Sequence, residues 1–481
     1  MRKHFEAAPL LGTTPISEVK IPAKSRDELA PVLMGLQHIY LTPELSRQVF
    51  AILERKILRG KRDTGRPGMG LWEIFVLATV RNCLNTNYDR LHDQANYHRL
   101  IRGIMGVDTP FREGKLYSLT SIKDNVSLLD EQTLIEINEL IVDAGHRVLK
   151  KEGTLTAKVD SFVVETDVHF PTDLNLLWDS GRKCIDVCAN CNKKMGLGGW
   201  RKHHFWRREL KNHYRKASRA ARSGGANKAE RVNQQVGAYL SFCRELEEKV
   251  VQSRMELSLI GNPLCYVLEV QLKYYHSMLV KHIDLVERRL IKGEKIAHHE
   301  KVFSIFEPHT EWISKGKLGT SVELGRNLLI TTDQFHFILH HQVMEGVDVH
   351  QVKEVTDYLI GHYGKVESIS FDRGFYSQVN KRYLKKRIPL PVLPKKGKKN
   401  KRESEEENEE SFKRAKRKHS AVESNINQLE HNGLDRCPDK GEVNFKRYCA
   451  LSVVAYNLHR LGNYLFNARR KKEKKMAKKI A

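Results

Sequence analysis

The sequence predicts an α/β protein: a mixed sheet, interrupted after its first strand by a long helical insertion and preceded by an all-helical N-terminal region. Three observations carry this reading. Thr154 to Val164 alternates apolar and polar residues and is rich in β-branched side chains, as a half-buried strand requires. From about Leu174 to Lys292 the apolar spacing is helical throughout, broken near Gly196–Gly199, Ser223–Gly225 and Gly261–Pro263. Beyond residue 300, strand-like and helix-like runs alternate, which is the succession of a mixed sheet with covering helices.

The chain has 481 residues, too many for one ordinary core, so two or three domains are expected. Its 83 Lys and Arg stand against 58 Asp and Glu, a formal charge of +25. That excess favours a polyanionic partner, with nucleic acid as the first candidate. No run is long and apolar enough for a transmembrane helix; Glu73 to Leu84 is short and carries Arg81. The first residues lack the apolar region of a signal peptide. Eight scattered Cys suit reduced thiols, and a cytoplasmic, nucleoid-associated protein with no membrane partner is expected.

Residues 1–41 read as an extended arm, with Pro9, Pro15 and Pro22 and little periodicity. Residues 42–150 read as a helical, DNA-binding domain. Thr42-Pro43-Glu44 is a helix start, with Thr as N-cap and Pro at the first position. Gly70 to Leu84, Tyr88 to Asp93 and Asn96 to Met105 follow as short helices, the last bearing Arg99 and Arg102. Three short helices with a basic third suit a helix-turn-helix-like reader, with an ordinary helical bundle as the alternative. Asp130 to Lys150 is a longer amphipathic helix. The core is expected from 151–173 and 299–466, with 174–298 as the insertion. Within the insertion, Arg201, Lys202, Arg207 and Arg208 lie among Trp200, Phe205 and Trp206. That mixture can track a phosphate backbone or simply clothe a surface helix.

Strands are expected at Val302–Phe306, Val322–Thr331, Phe335–Val343, Val366–Phe371 and Leu390–Leu393, with helices at His350–His362 and Tyr376–Arg387. Residues 395–411, a basic block followed by an acidic one, read as a solvated linker. Phe412–Leu429 and Asn444–Phe466 read as helices, and 467–481 as a basic tail. Cys184, Cys188 and Cys191, with His203 and His204 downstream, leave structural zinc open. The spacing is irregular, and one helix face would hold all three Cys as small apolar residues.

The chemistry-bearing residues are acids. Asp372 ends the run Val366–Phe371 and precedes an Arg-Gly turn, the place where α/β sheets put functional groups. Asp160 lies on the earlier strand, and Glu423 on the helix-like His419-Ser-Ala-Val-Glu423-Ser segment. Asp on a strand, Asp on a later strand and Glu on a helix is the order of the metal-binding carboxylates in DDE transposases. The sequence resembles bacterial insertion-sequence transposases of that type from about Gly65 to Gly462. Pro171-Thr-Asp173, Ile313-Ser-Lys-Gly-Lys317 and Asn425 to Arg436 contribute to the likeness.

The resemblance implies a ribonuclease-H-like core in which Asp160, Asp372 and Glu423 hold Mg²⁺ as two ions, with Mn²⁺ as a substitute. It implies binding to terminal inverted repeats, DNA cleavage and strand transfer, with a homodimer or larger assembly on double-stranded DNA. Lys315, Lys317, Arg373, Lys416 and His419 are the implied DNA contacts near the acids. Some relatives place an Arg one turn before the Glu and a Lys two turns after it; here those positions hold His419 and Glu430. A two-metal nuclease without strand transfer and a DNA-binding regulator derived from an inactive transposase are the rival readings.

Overall fold

The computed structural model describes residues 12–22, 25–60, 68–109, 115–149, 154–196, 198–260, 263–314 and 321–480. The chain divides into two units, Met1–Asp167 with Ile313–Ala481, and Val168–Trp312.

The first unit opens with α1 (Leu29–Leu41), α2 (Pro43–Ile57), α3 (Leu71–Cys83), α4 (Tyr88–Tyr97), α5 (Arg99–Met105), α6 (Leu119–Val126) and α7 (Glu131–Leu149). Local chemistry sets these limits. Pro43 takes the first position of α2, and Asn85, at φ 43°, breaks the chain after α3. The Asn87 side chain accepts from the Arg90 amide to start α4, and left-handed Gly106 ends α5. Residues 1–41 are therefore not an arm throughout, because α1 is helical and largely buried. Its apolar residues surround the helix, so no stripe betrays it. Every residue of α3 is buried, and these helices share one apolar core with sheet residues Val159, Leu329 and Ile369.

Strand β1 (Leu155–Thr166) follows, and the second unit then begins. It is built from α8 (Asp173–Met195), α9 (His203–Arg222), α10 (Lys228–Ser258) and α11 (Pro263–Val286), with a π turn at Glu287–Ile291. Cys184, Cys188 and Cys191 lie fully buried in its core beside Leu210, Tyr239 and Leu246. Burial pushes all three thiols up, Cys188 to about 12, as for neutral thiols packed among apolar side chains.

The chain passes between units in β2 (Glu311–Ser314), whereas the strand expected at Val302–Phe306 is irregular. Strands β3 (Val322–Thr332) and β4 (Ile338–Val343) form a hairpin that turns at Asp333–His336. Next come α12 (Asp348–Tyr363), β5 (Val366–Phe371), α13 (Gln378–Lys385) and β6 (Leu390–Val392). They are followed by α14 (Lys401–Asn408), α15 (Glu410–His419), α16 (Ala421–Leu429), β7 (Arg436–Cys437) and α17 (Glu442–Ile480).

Strand β1 is central: antiparallel to β3, parallel to β5, and parallel to β7 at its far end. Strand β6 extends the parallel side beyond β5. Asn138 of α7 and Asn457 of α17 clamp the start of β4. Asn457 Nδ2 donates to Asn138 Oδ1 at 2.7 Å and to the Ile338 carbonyl at 2.8 Å, while its Oδ1 accepts from the Ile338 amide. Helix α17 meets α1 so closely that a Cβ on Gly462 would lie 1.8 Å from the Pro31 carbonyl oxygen.

The charged segment 395–411 is exposed along most of its length, but it is ordered by a helix and ion pairs and is not a loose linker. The Asn400 and Glu403 side chains form a capping box that starts α14. Lys395 then pairs with Glu403 at 2.6 Å, Lys399 with Glu407 at 2.5 Å, and Lys381 and Lys385 of α13 with Glu406. The basic and acidic blocks neutralise each other, which a reading of each block alone misses. Residues 467–480 continue α17 as helix instead of forming a separate tail.

Candidate active site

The parallel pairing of β1 with β5 ends at Val159 opposite Phe371. The next residue on each strand is an acid, Asp160 and Asp372. Strand β1 continues beside β3, with Asp160 opposite Ile330, while the chain after Phe371 turns through Arg373–Phe375. The two carboxylates therefore sit where neighbouring parallel strands part. Helix α15 packs on β5: His419 Nδ1 and the Ser370 hydroxyl are 3.0 Å apart. Helix α16 starts two residues later, with Glu423 in its first turn.

A fourth acid joins them. Asp348, the first residue of α12, accepts from the Ser161 hydroxyl at 2.7 Å. Its other oxygen would lie 3.0 Å from a Cβ on Gly374, so it stands against the turn that follows Asp372. The sequence starts this helix only at His350, so Asp348 falls ahead of it. Nothing in its spacing marked it as a member of the cluster.

Burial pushes the Asp160 carboxyl up to about 6. The charges of Asp372, Asp348 and Glu423 push the same way, against one hydrogen bond from the Ser161 amide. Burial lowers His419, which Asp372 and Glu423 partly offset, so the imidazole is neutral near pH 7. Its Nε2 is buried and makes no hydrogen bond within the protein. Lys158, two residues before Asp160 on the same face of β1, is buried and donates to the Asp333 carbonyl at 2.6 Å.

The donor set fits a hard divalent cation: neighbouring carboxylates, with one of them, Asp160, driven toward protonation chiefly by its burial. Asp160, Asp372 and Glu423 would hold it, with Asp348 adjacent. As placed they do not form a closed shell, since among the described residues no three His, Cys, Asp or Glu side chains converge on one ion position.

The other candidate contacts are scattered. Arg373 is exposed beside Asp372, and Lys416 is half-buried on α15. His419 is not a surface residue but is tied to β5. Arg99 is exposed and lies 3.6 Å from Asp108. Arg102 is buried, donating to the carbonyls of Ala95, Lys115 and Val107, so it braces a loop and has no free charge for a phosphate. Lys315 and Lys317 lie outside the described residues. In the helical unit, Arg201, Lys202, Arg207 and Arg208 are exposed, with Arg207 paired to Asp186 at 3.0 Å.

Residues 294–458 match the family model of the transposase DDE domain. The mixed sheet is consistent with the ribonuclease-H-like form of that domain. The match covers Asp372 and Glu423 and supports a DDE-type insertion-sequence transposase; Asp160 lies ahead of it. No curated protein and no solved structure matches the chain. Among the described residues no helix is long and apolar enough to cross a membrane.

Proposed function

We propose that this transposase binds the terminal inverted repeats of its own mobile element as double-stranded DNA. It cleaves the flanking phosphodiester in a Mg²⁺-dependent reaction and joins the freed 3′-hydroxyl to target DNA. The observation that carries this reading is the placement of Asp160 and Asp372 side by side where β1 and β5 part, with Glu423 in the first turn of α16 and Asp348 hydrogen-bonded to Ser161. A divalent cation would offset the charge of the neighbouring acids.

Divalent metal bound there would activate the attacking oxygen and stabilise the leaving one. The chain's own contribution is positional. Asp160 and Asp372 are fixed by the strand register, and Glu423 by the first turn of α16. His419 is held against β5 by Ser370 with its Nε2 buried, so it fixes α15 beside the acids. Exposed Arg201, Lys202 and Arg208 on and before α9 supply cations for the DNA backbone. Joining two element ends calls for a dimer or larger assembly, acting at the nucleoid in the cytoplasm.

The test is cleavage of a duplex carrying the inverted repeats that flank the gene, in Mg²⁺ and in EDTA. Asp160→Asn, Asp372→Asn and Glu423→Gln should each abolish cutting and spare binding, by raising the barrier by roughly several kcal/mol. A labelled 3′-hydroxyl end that joins target DNA distinguishes a transposase from a nuclease. Cleavage that survives Asp372→Asn would overturn the reading, and binding without any cutting by the wild type would point to a regulator.

A further inference from the structure

The helical unit contains a cavity of about 490 Å³ between the start of α8, the end of α9 and the segment after α11. That volume is in the range of small-ligand sites. One wall is a continuous row of rings. Phe170 meets Trp312 edge-on at 5.4 Å, Trp312 lies 5.7 Å from Phe303, and Phe303 lies 5.3 Å from His298. Phe170 is 60% exposed, so a ligand entering the cavity could cover it. Cations contribute the rest of the lining: Arg222 from α9, Arg289 after α11, and Lys301. Arg222 and Lys301 are exposed. Asp173, the one acid among the lining residues, is bound by Arg289 at 2.7 Å, while Arg289 itself stays half exposed.

We propose that this cavity takes a single unstacked nucleotide, its base against Phe170, Trp312 and Phe303 and its phosphate on Arg222, Arg289 and Lys301. Aromatic faces accept any base by stacking, and neighbouring cations neutralise the phosphate that comes with it. A purely apolar ligand would leave the cations unused, and a bare anion would leave the rings unused. The N-terminus of α8 is capped by Thr172 and Asn175, and no part of the phosphate site is drawn from it. A nucleotide can come from a DNA strand or from free solution. The choice of a DNA strand rests on the transposase reading, whereas the chemistry of the cavity does not.

The experiment uses the full chain and three probes: a fluorescent thymidine octamer, an octamer of abasic sites with the same phosphates, and thymidine 5′-monophosphate. Wild type should bind the thymidine octamer more tightly than the abasic one. Phe170→Ala should weaken the thymidine octamer about tenfold and leave the abasic one unchanged, since only stacking is lost. Arg222→Ala combined with Lys301→Ala should weaken both octamers and flatten their salt dependence, by about 0.7 in log–log slope per phosphate contact on a single strand. Phe170 is exposed enough that its removal should not unfold the unit, and a circular dichroism melt checks this. Monophosphate bound as tightly as the octamer, with the same loss in Phe170→Ala, would assign the cavity to free nucleotides. Equal affinity for both octamers in the wild type, or no effect of Phe170→Ala and Trp312→Ala on either, would overturn the proposal. None of these readouts uses the carboxylates, so Mg²⁺-dependent cleavage of duplex DNA by the same preparation reports separately on the transposase reading.

Discussion

The Ser161 hydroxyl donates to Asp348 Oδ1 at 2.7 Å, joining the residue after Asp160 to the first residue of α12. One hydrogen bond thereby couples the central strand to a helix nearly two hundred residues away. A hydrogen bond to a carboxylate contributes about 1.5–3 kcal/mol. Ser161→Ala should therefore destabilise the fold by about that much in urea unfolding. Asp348→Asn should weaken Mn²⁺ binding in calorimetry severalfold by removing negative charge next to the other three acids. Unchanged Mn²⁺ affinity in Asp348→Asn would remove this carboxylate from the ligand set.

The Asp160 carboxyl gives a pH dependence with a definite sign. Its folded value, about 6, lies above the 3.8 of a free Asp, so the folded state holds the proton more tightly. The resulting stabilisation is complete below about pH 4 and is lost as pH rises through about 6, up to roughly 3 kcal/mol. Asp160→Asn should therefore melt higher than wild type at pH 8 in EDTA, with the gain shrinking toward pH 4. Added Mg²⁺ should raise the wild-type melting temperature at pH 8 and leave the variant less affected. A gain independent of pH would show that Asp160 is not the strained member of the cluster.

The salt-paired segment 395–410 should resist trypsin at low ionic strength despite its many Lys residues. The pairs Lys395–Glu403 and Lys399–Glu407 hold it to α14. At 1 M NaCl, where the Debye length is about 3 Å, cutting there should accelerate several-fold while the rest of the chain stays intact. Rapid cutting at low salt would restore the view of this segment as a loose linker.

Gly462→Ala should be among the most damaging single-methyl substitutions in the chain. Its Cβ would lie 1.8 Å from the Pro31 carbonyl oxygen, a backbone atom that cannot swing aside. Helix α17 or α1 would have to move, at a cost of roughly 3 kcal/mol or more. Gly361→Ala on α12, where a Cβ meets nothing within 4 Å, is the control and should leave the melting temperature unchanged or raise it.

Sequence made legible what depends on local pattern. Val366–Phe371 carries its own β signature up to Asp372, and Thr154–Val164 does the same around Asp160. The breaks of the helical unit fall near Gly196, Ser223 and Pro263, where turn chemistry announces them. What stayed hidden depends on partners distant in sequence. Helix α1 is apolar all round because α17 covers it, so it shows no period. Arg102 looked like a surface cation, although its donors serve three backbone carbonyls. His419 is expected only as a DNA contact, because nothing in the sequence shows that Ser370 sits beside it. Asp348 had no distinguishing neighbour, since the residues that give it meaning, Ser161 and Gly374, come from other elements.

In the sequence the helical unit comes between β1 and β3, and this sets the timetable of assembly. Glu165 of β1 pairs with Gly325 of β3, and everything between them must be synthesised before the sheet can begin. At roughly 5–20 residues per second, a nascent chain carries an unpaired β1 for about ten seconds or more. Folding of the helical unit during that interval would shorten the effective loop that β1 and β3 must close. A ribosome that stops after residue 312 releases the whole helical unit with only Asp160 of the four acids. The acidic cluster is thus a property of the finished chain, absent from every shorter product that still contains the helical unit and ends before α12.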